Sequence, residues 1–237
     1  MAGHSKWANT KHHKAAQDKK RSNLFTKLAR EITVAAKLGD PNPDMNPRLR
    51  LAVQAARKES MPNDNIKRAI DRALPNSGEG DYQEIRYEGY ASGGISVIVE
   101  CLSDNKNRTA AEVRSLFSKH GGNLGETGSV AFNFAHVGLF VYPKTVAPFD
   151  EIFETASLAD ALDVEEEDEH YMITCETSSF GAVMKALEKY GEPETAKMIW
   201  QPKLTTEISE EAHTKLDAFI NALEDSDDVQ DVYHNAV

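Results

Sequence analysis

Apolar runs are short throughout this 237-residue chain, and none approaches the roughly 20 residues that would cross a bilayer. The opening MAGHSKW has no apolar stretch of the kind a signal peptide needs, so the expectation is a cytoplasmic protein without a membrane partner. Cysteine is nearly missing. Cys101 and Cys175 stand far apart, each inside a β-like run, which argues against a disulfide framework or a zinc knuckle and predicts two buried thiols. The signatures of common chemistries are also lacking. Serine, histidine and aspartate are plentiful, but none lies in a nucleophile elbow or a comparable catalytic setting. Asp40, Asn42 and Asp44 imitate the opening of a calcium loop, yet Met45 stands where glycine is needed and Leu51 where a bidentate glutamate is needed. His12 and His13 are adjacent and point to different faces of a helix, with no cysteine or carboxylate at ligand spacing. The sequence therefore predicts no enzyme, no metal and no cofactor.

What the chain does have is an uneven charge. The whole carries a formal −11, but the first thirty-seven residues hold nine basic side chains against Asp18 and Glu31. A polyanion is repelled by most of such a surface and attracted by one end, which orients the encounter before contact. This basic arm interleaves Lys6, Lys11, Lys14, Lys19, Lys20 and Arg21 with His4, Trp7, His12 and His13, supplying partners for phosphates and rings that stack on bases. With Lys27 and Arg30 on the helix that follows, these are the candidate nucleic-acid-binding residues. About six phosphate contacts on duplex DNA would give a slope of about −5 in log affinity against log salt. A solvated basic helix that only aids solubility is the plainer alternative.

Hydrophobic content of 40% over this length suits two or three thin layered units better than one thick core. Leu24, Phe25, Leu28, Ile32 and Ala36 recur at helical spacing, and Gly39 is read as a left-handed helix end before DPNPDMNP. Asn46 with Pro47 opens a second helix, and Asn63 or Asp64 a third. A linker at 75–81 (PNSGEGD) ends this part and predicts hinge motion of the helical domain on binding. Beyond it the period changes to two in RYEGY and ISVIVECLS, with a turn at Ser92, Gly93 and Gly94. Thr109 and Glu112 have the spacing of a capping box, and SVAFNF is read as a strand. From Gly138 strand, helix, strand, helix and strand follow, and the tail offers a helix capped by Ser209 and a last strand, DVQDVYHN. The predicted fold class is α+β: a three-helix N-terminal domain (1–76) and two ferredoxin-like sandwiches, one (82–136 with 205–237) interrupted by the other (137–204).

Between a predicted helix and strand lies GGNLGETGS, with Gly121, Gly122, Asn123, Leu124, Gly125, Gly128 and Ser129 as candidate functional-loop residues. It lacks the lysine of a Walker loop, and Glu126 would repel phosphate. A flexible turn, or a loop that orders on a partner, are the two readings. The run 165–169 (EEEDE) is read as a solvated loop.

Four segments in order, AGHSKWANTKHHKAAQDKKRSNLFTKLAREI, YEGYASGG, SDNKNRTAAEVR and GGNLGETGSVAFNF, resemble the YebC family of bacterial regulatory proteins. The likeness runs nearly end to end. It departs at His13, where arginine is expected, and at Tyr90-Ala91-Ser92-Gly93-Gly94, where Tyr-Gly-Pro-Gly-Gly is usual. The resemblance implies three domains around a cleft. It further implies a DNA-binding transcriptional regulator or, as for a mitochondrial relative that activates translation and bacterial members linked to ribosomes stalled on proline-rich stretches, a translation factor on ribosomal RNA. In the first case the arm and helical domain hold phosphates while the acidic domains face protein partners. In the second the arm lies on RNA, whose unstacked bases suit Trp7 and the histidines. A small-molecule sensor or an enzyme, with the glycine loop closing on a ligand, is the alternative of another class.

Overall fold

The computed structural model describes residues 17–74 and 82–237, with side chains from Asn23 onward in the first segment. These residues fall into two compact units, Asn133–Leu204 and a second made of the described residues up to Phe132 together with Thr205–Val237.

The second unit opens with three helices: α1 (Gln17–Leu38), α2 (Pro47–Lys58) and α3 (Asn63–Asp71). Helix α1 begins seven residues before the apolar period does, over QDKKRSN, where good helix formers predominate. Its apolar face, with Ile32, Ala35 and Ala36, meets Leu49, Val53 and Ala56 of α2 and Ile66 and Ala69 of α3 in one buried cluster. Asn46 caps α2 as expected, its Oδ1 accepting from the Leu49 amide at 3.1 Å. Its Nδ2 donates back to the carbonyls of Ala35 and Asp40, both at 2.8 Å. Gly39 is thus needed for a reason other than the left-handed turn expected of it: a Cβ there would lie 2.6 Å from Asn46 Nδ2. Ser60 takes the left-handed conformation at the end of α2, and the residue before α3 is Pro62 in place of the asparagine or aspartate cap predicted.

Next come β1 (Gln83–Tyr90) and β2 (Ser96–Ser103), an antiparallel hairpin through the predicted turn, then α4 (Lys106–Lys119) and the short β3 (Asn123–Leu124). The tail returns as α7 (Glu210–Glu224) and β8 (Val229–His234), completing a four-stranded sheet in the order β3-β1-β2-β8. Both helices lie on one face of it. Val97, Val99 and Cys101 of β2 pack there with Val113 and Phe117 of α4 and Leu216, Phe219 and Leu223 of α7. Helix α4 starts three residues before the expected capping box. Asn105 caps it, and Thr109 sits fully buried in the first turn.

In the first unit, β4 (Phe134–Pro143), α5 (Phe149–Leu158), β5 (Ala161–Glu166), β6 (His170–Glu176), α6 (Phe180–Leu187) and β7 (Thr195–Pro202) form an antiparallel sheet in the order β5-β6-β4-β7. This is the β-α-β-β-α-β ferredoxin-like arrangement. Residues 131–133, expected in a strand, make a single 3₁₀ turn instead, and β4 runs unbroken from Phe134. The other sheet reaches the same two-layer form by a different element order, β-β-α-β-α-β, with the unit Asn133–Leu204 placed between its third strand and its last helix. The fold class is α+β, with N-terminal helices followed by two antiparallel four-stranded sheets.

Candidate nucleic-acid interface

Of the predicted binding residues, His4, Lys6, Trp7, Lys11, His12, His13 and Lys14 lie outside the described residues, as does the linker at 75–81. Lys19, Lys20 and Arg21 fall in the first turns of α1. Lys27 and Arg30 are placed, and both serve within the molecule. With Asn23 they stand at i, i+4 and i+7, one face of α1, and that face meets the turn after α7. Asn23 Nδ2 donates to the Asp225 carbonyl at 3.1 Å, and Lys27 Nζ to that of Glu224, the last residue of α7, at 2.7 Å. A cation at a helix C-terminus is favoured by the exposed carbonyls there. Arg30 Nη1 reaches Asp228 Oδ1 and the Asp227 carbonyl, each at 2.5 Å. A second strap, Arg48, joins Glu31 of α1 at 2.7 Å and Glu84 of β1 at 2.6 Å.

Asp228 is the centre of this junction. Its Oδ2 accepts from Thr109 Oγ1 at 2.6 Å, Ser103 Oγ at 3.0 Å and Arg108 at 2.9 Å, while Oδ1 takes Arg30. Burial pushes this carboxyl up, and the bonds from Thr109, Arg108, Arg30 and Ser103 outweigh it and hold the pKa below the usual value. Burial likewise lowers Lys27, against the pull of Glu224 and other acids. Lys27 and Arg30, expected to hold phosphate, thus make intramolecular bonds in this structure.

The glycine loop is organised around a buried carboxylate. Gly121 leaves α4 with φ 75°, and Asn123 and Leu124 pair with Tyr90 and Gly89 of β1. Gly122 lies so close to β1 that a Cβ on it would be 2.6 Å from the Tyr90 carbonyl oxygen. Then the amides of Gly128, Val130 and Ala131 donate to the carboxylate of Glu88 at 2.9, 2.9 and 2.8 Å, while Gly125 N meets the Glu88 carbonyl at 2.8 Å and the Tyr90 hydroxyl meets the Ser129 carbonyl at 2.9 Å. Glu88 is 2% exposed. Burial raises its pKa, but the three amides and Arg86 prevail and lower it. The loop amides that a phosphate would require are thus taken by an internal anion, and residues 125–128 remain exposed around it.

Sequence reasoning passed over the cations after residue 37. Residues 38–74 hold Arg48, Arg50, Arg57, Lys58, Lys67, Arg68 and Arg72 against five acids, so that residues 1–74 carry sixteen basic and seven acidic side chains and the remainder eleven and thirty-one. A charge count carried to the linker would have found them. Arg57, Lys58, Lys67, Arg68 and Arg72 are exposed. Between α1, α3 and the entry to β1 lies an open cleft of about 350 Å³ whose ten lining residues include Arg30, Arg68, Arg72, Phe25 and Tyr82 and no carboxylate. The Arg30 guanidinium lies over the Tyr82 ring, 5.4 Å from its centroid.

Residues 5–75 match the family model described as the TACO1/YebC protein N-terminal domain, and residues 82–236 match that of the TACO1/YebC second and third domain. The chain belongs to the TACO1/YebC family. It is also similar, at 43% identity over 98% of this chain and 96% of the other, to a conserved hypothetical protein of Aquifex aeolicus known from a crystal structure, with a TM-score of 0.85. Among the described residues no helix of this family member is long and apolar enough to cross a membrane, and no group of three metal-ligating side chains is assembled. Cys101 and Cys175 are buried free thiols, as the sequence predicted.

Proposed function

We propose that this chain is a non-enzymatic transcriptional regulatory protein that binds DNA through its basic arm and helical domain. The observation that carries this reading is the division of charge: the positive surplus ends at the linker, and everything beyond it is strongly acidic. Such a molecule presents one end to a polyanion and keeps the other away. The family model that covers residues 82–236 is named for transcriptional regulation, which supports the same reading. The acidic α+β units would face protein partners in the cytoplasm.

A second reading, a ribosome-associated translation factor that binds ribosomal RNA and relieves synthesis stalled on proline-rich stretches, is favoured by the arginine- and aromatic-lined cleft. Unstacked bases suit such a cleft better than duplex DNA does. In that reading the loop bearing Gly121, Gly122, Asn123, Leu124, Gly125, Gly128 and Ser129 reaches the functional centre as a wall, and not as a catalyst.

Crosslinking in growing cells, denaturing purification and sequencing of the attached nucleic acid test both. The control replaces Lys11, Lys14, Lys19, Lys20 and Arg21 by glutamate. Promoter DNA that disappears in this variant is the expected result. Ribosomal RNA that disappears would transfer the function to translation, and no nucleic acid at all would refute the proposal and return the sensor or enzyme reading.

A further inference from the structure

The cleft between α1, α3 and Tyr82 has chemistry of its own. Three of its ten lining residues are arginines on a protein whose net charge is −11, and none is acidic. Arg68 and Arg72 are exposed and one helical turn apart, on α3 and at its C-terminal cap, so their guanidinium groups serve the same face. Asn65 Oδ1 accepts from Arg68 Nη2, which holds that side chain along the helix. Arg30 differs from these two. Its charge is met by Asp228, and its guanidinium carbon lies over the ring of Tyr82, 5.4 Å from the centroid. Phe25 adds a second ring.

We propose that this cleft is a subsite for one unstacked nucleotide, its phosphate held by Arg68 and Arg72 and its base laid against the Arg30–Tyr82 cation–π pair. Guanidinium forks match phosphate oxygens in pairs, and a base extends an arginine–aromatic stack whatever its sequence. A volume of about 350 Å³ exceeds the need of a lone inorganic anion and falls at the lower end of organic ligand sites. The nucleotide can belong to a nucleic-acid strand or be free. Only the first source rests on the function proposed above.

The test uses the full chain and two probes, adenosine monophosphate and a short single-stranded RNA carrying thiouridine. Photocrosslinking of the RNA should map to the peptide holding Tyr82, and Tyr82→Leu should weaken strand binding about tenfold, the size of one lost base stack, while Tyr82→Phe retains it. Arg68→Ala with Arg72→Ala should weaken both probes, and unchanged melting of each variant separates binding from folding. Undiminished strand binding in these variants, with crosslinks only elsewhere, would overturn the subsite and leave the nucleic-acid reading standing. Binding of adenosine monophosphate that depends on Tyr82, without any strand binding, would keep the subsite with a free nucleotide and remove that reading. Failure of both probes would overturn the subsite.

Discussion

Asp228 and Glu88 are buried carboxylates held charged by donors drawn from distant parts of the chain. Removing one partner of a buried pair leaves the other uncompensated, so Arg30→Met should cost about 3 kcal/mol in urea unfolding and Asp228→Ala somewhat more. Neither should change the salt dependence of nucleic-acid binding, because Arg30 is engaged within the molecule. The same groups set the acid limb of stability. Asp228 and Glu88 have lowered folded-state values, so below about pH 5 the unfolded chain takes up more protons and stability falls with pH. His234 adds to this earlier. Burial lowers its value, against Asp217, so the unfolded chain binds a proton from about pH 6.5 downward that the folded chain refuses. Melting temperature measured from pH 8 to pH 3 should therefore decline gently below about pH 6.5 and steeply below about pH 5, and Asp228→Asn should flatten the lower step. The roles of Lys27 and Arg30 were partly legible in the sequence. Their spacing with Asn23 marks one helix face, and the acidic turn EDSDD at 224–228 is its complement, but nothing local says that the two meet.

The elements themselves were legible wherever a period and a breaker coincide. The apolar face of α1, the Asn46-Pro47 start of α2 and the turn at 92–94 follow from residues close in sequence. The departures arise where a distant partner decides. Thr109 has capping-box spacing, yet its hydroxyl is drawn to Asp228 and Asn105 caps the helix instead. The glycine loop reads as free because its anchor, Glu88, lies forty residues earlier, as seen from Gly128. Glu88→Gln keeps the shape and removes the charge, and charge-assisted bonds of this kind contribute about 1.5–3 kcal/mol each. Hydrogen exchange at Gly128, Val130 and Ala131 should accelerate by at least about tenfold in this variant while the β1–β2 amides stay protected. Helix α7 closes the same layer from far along the chain, with Phe219 against Phe117 at 4.8 Å in an edge-to-face contact. Phe219→Ala should cost about 3–5 kcal/mol, measured by urea unfolding, because it empties the centre of that core.

Across the whole molecule, the helical part and the sheet that it adjoins are tied by Asn23, Lys27, Arg30 and Arg48, which opposes the hinge expected from the linker composition. Label distances between α1 and the turn at 224–228 should stay constant when nucleic acid is added. The positive end and the acidic remainder form the other whole-molecule property, and the most direct measurement of its meaning is the affinity for duplex DNA as a function of salt. Fluorescence anisotropy between low and physiological salt should give a log–log slope of about −5 for the wild type. The variant carrying glutamate at Lys11, Lys14, Lys19, Lys20 and Arg21 should lose both the affinity and the slope. Equal affinity and slope in wild type and the glutamate variant would contradict the claim that the basic end is what meets the polyanion.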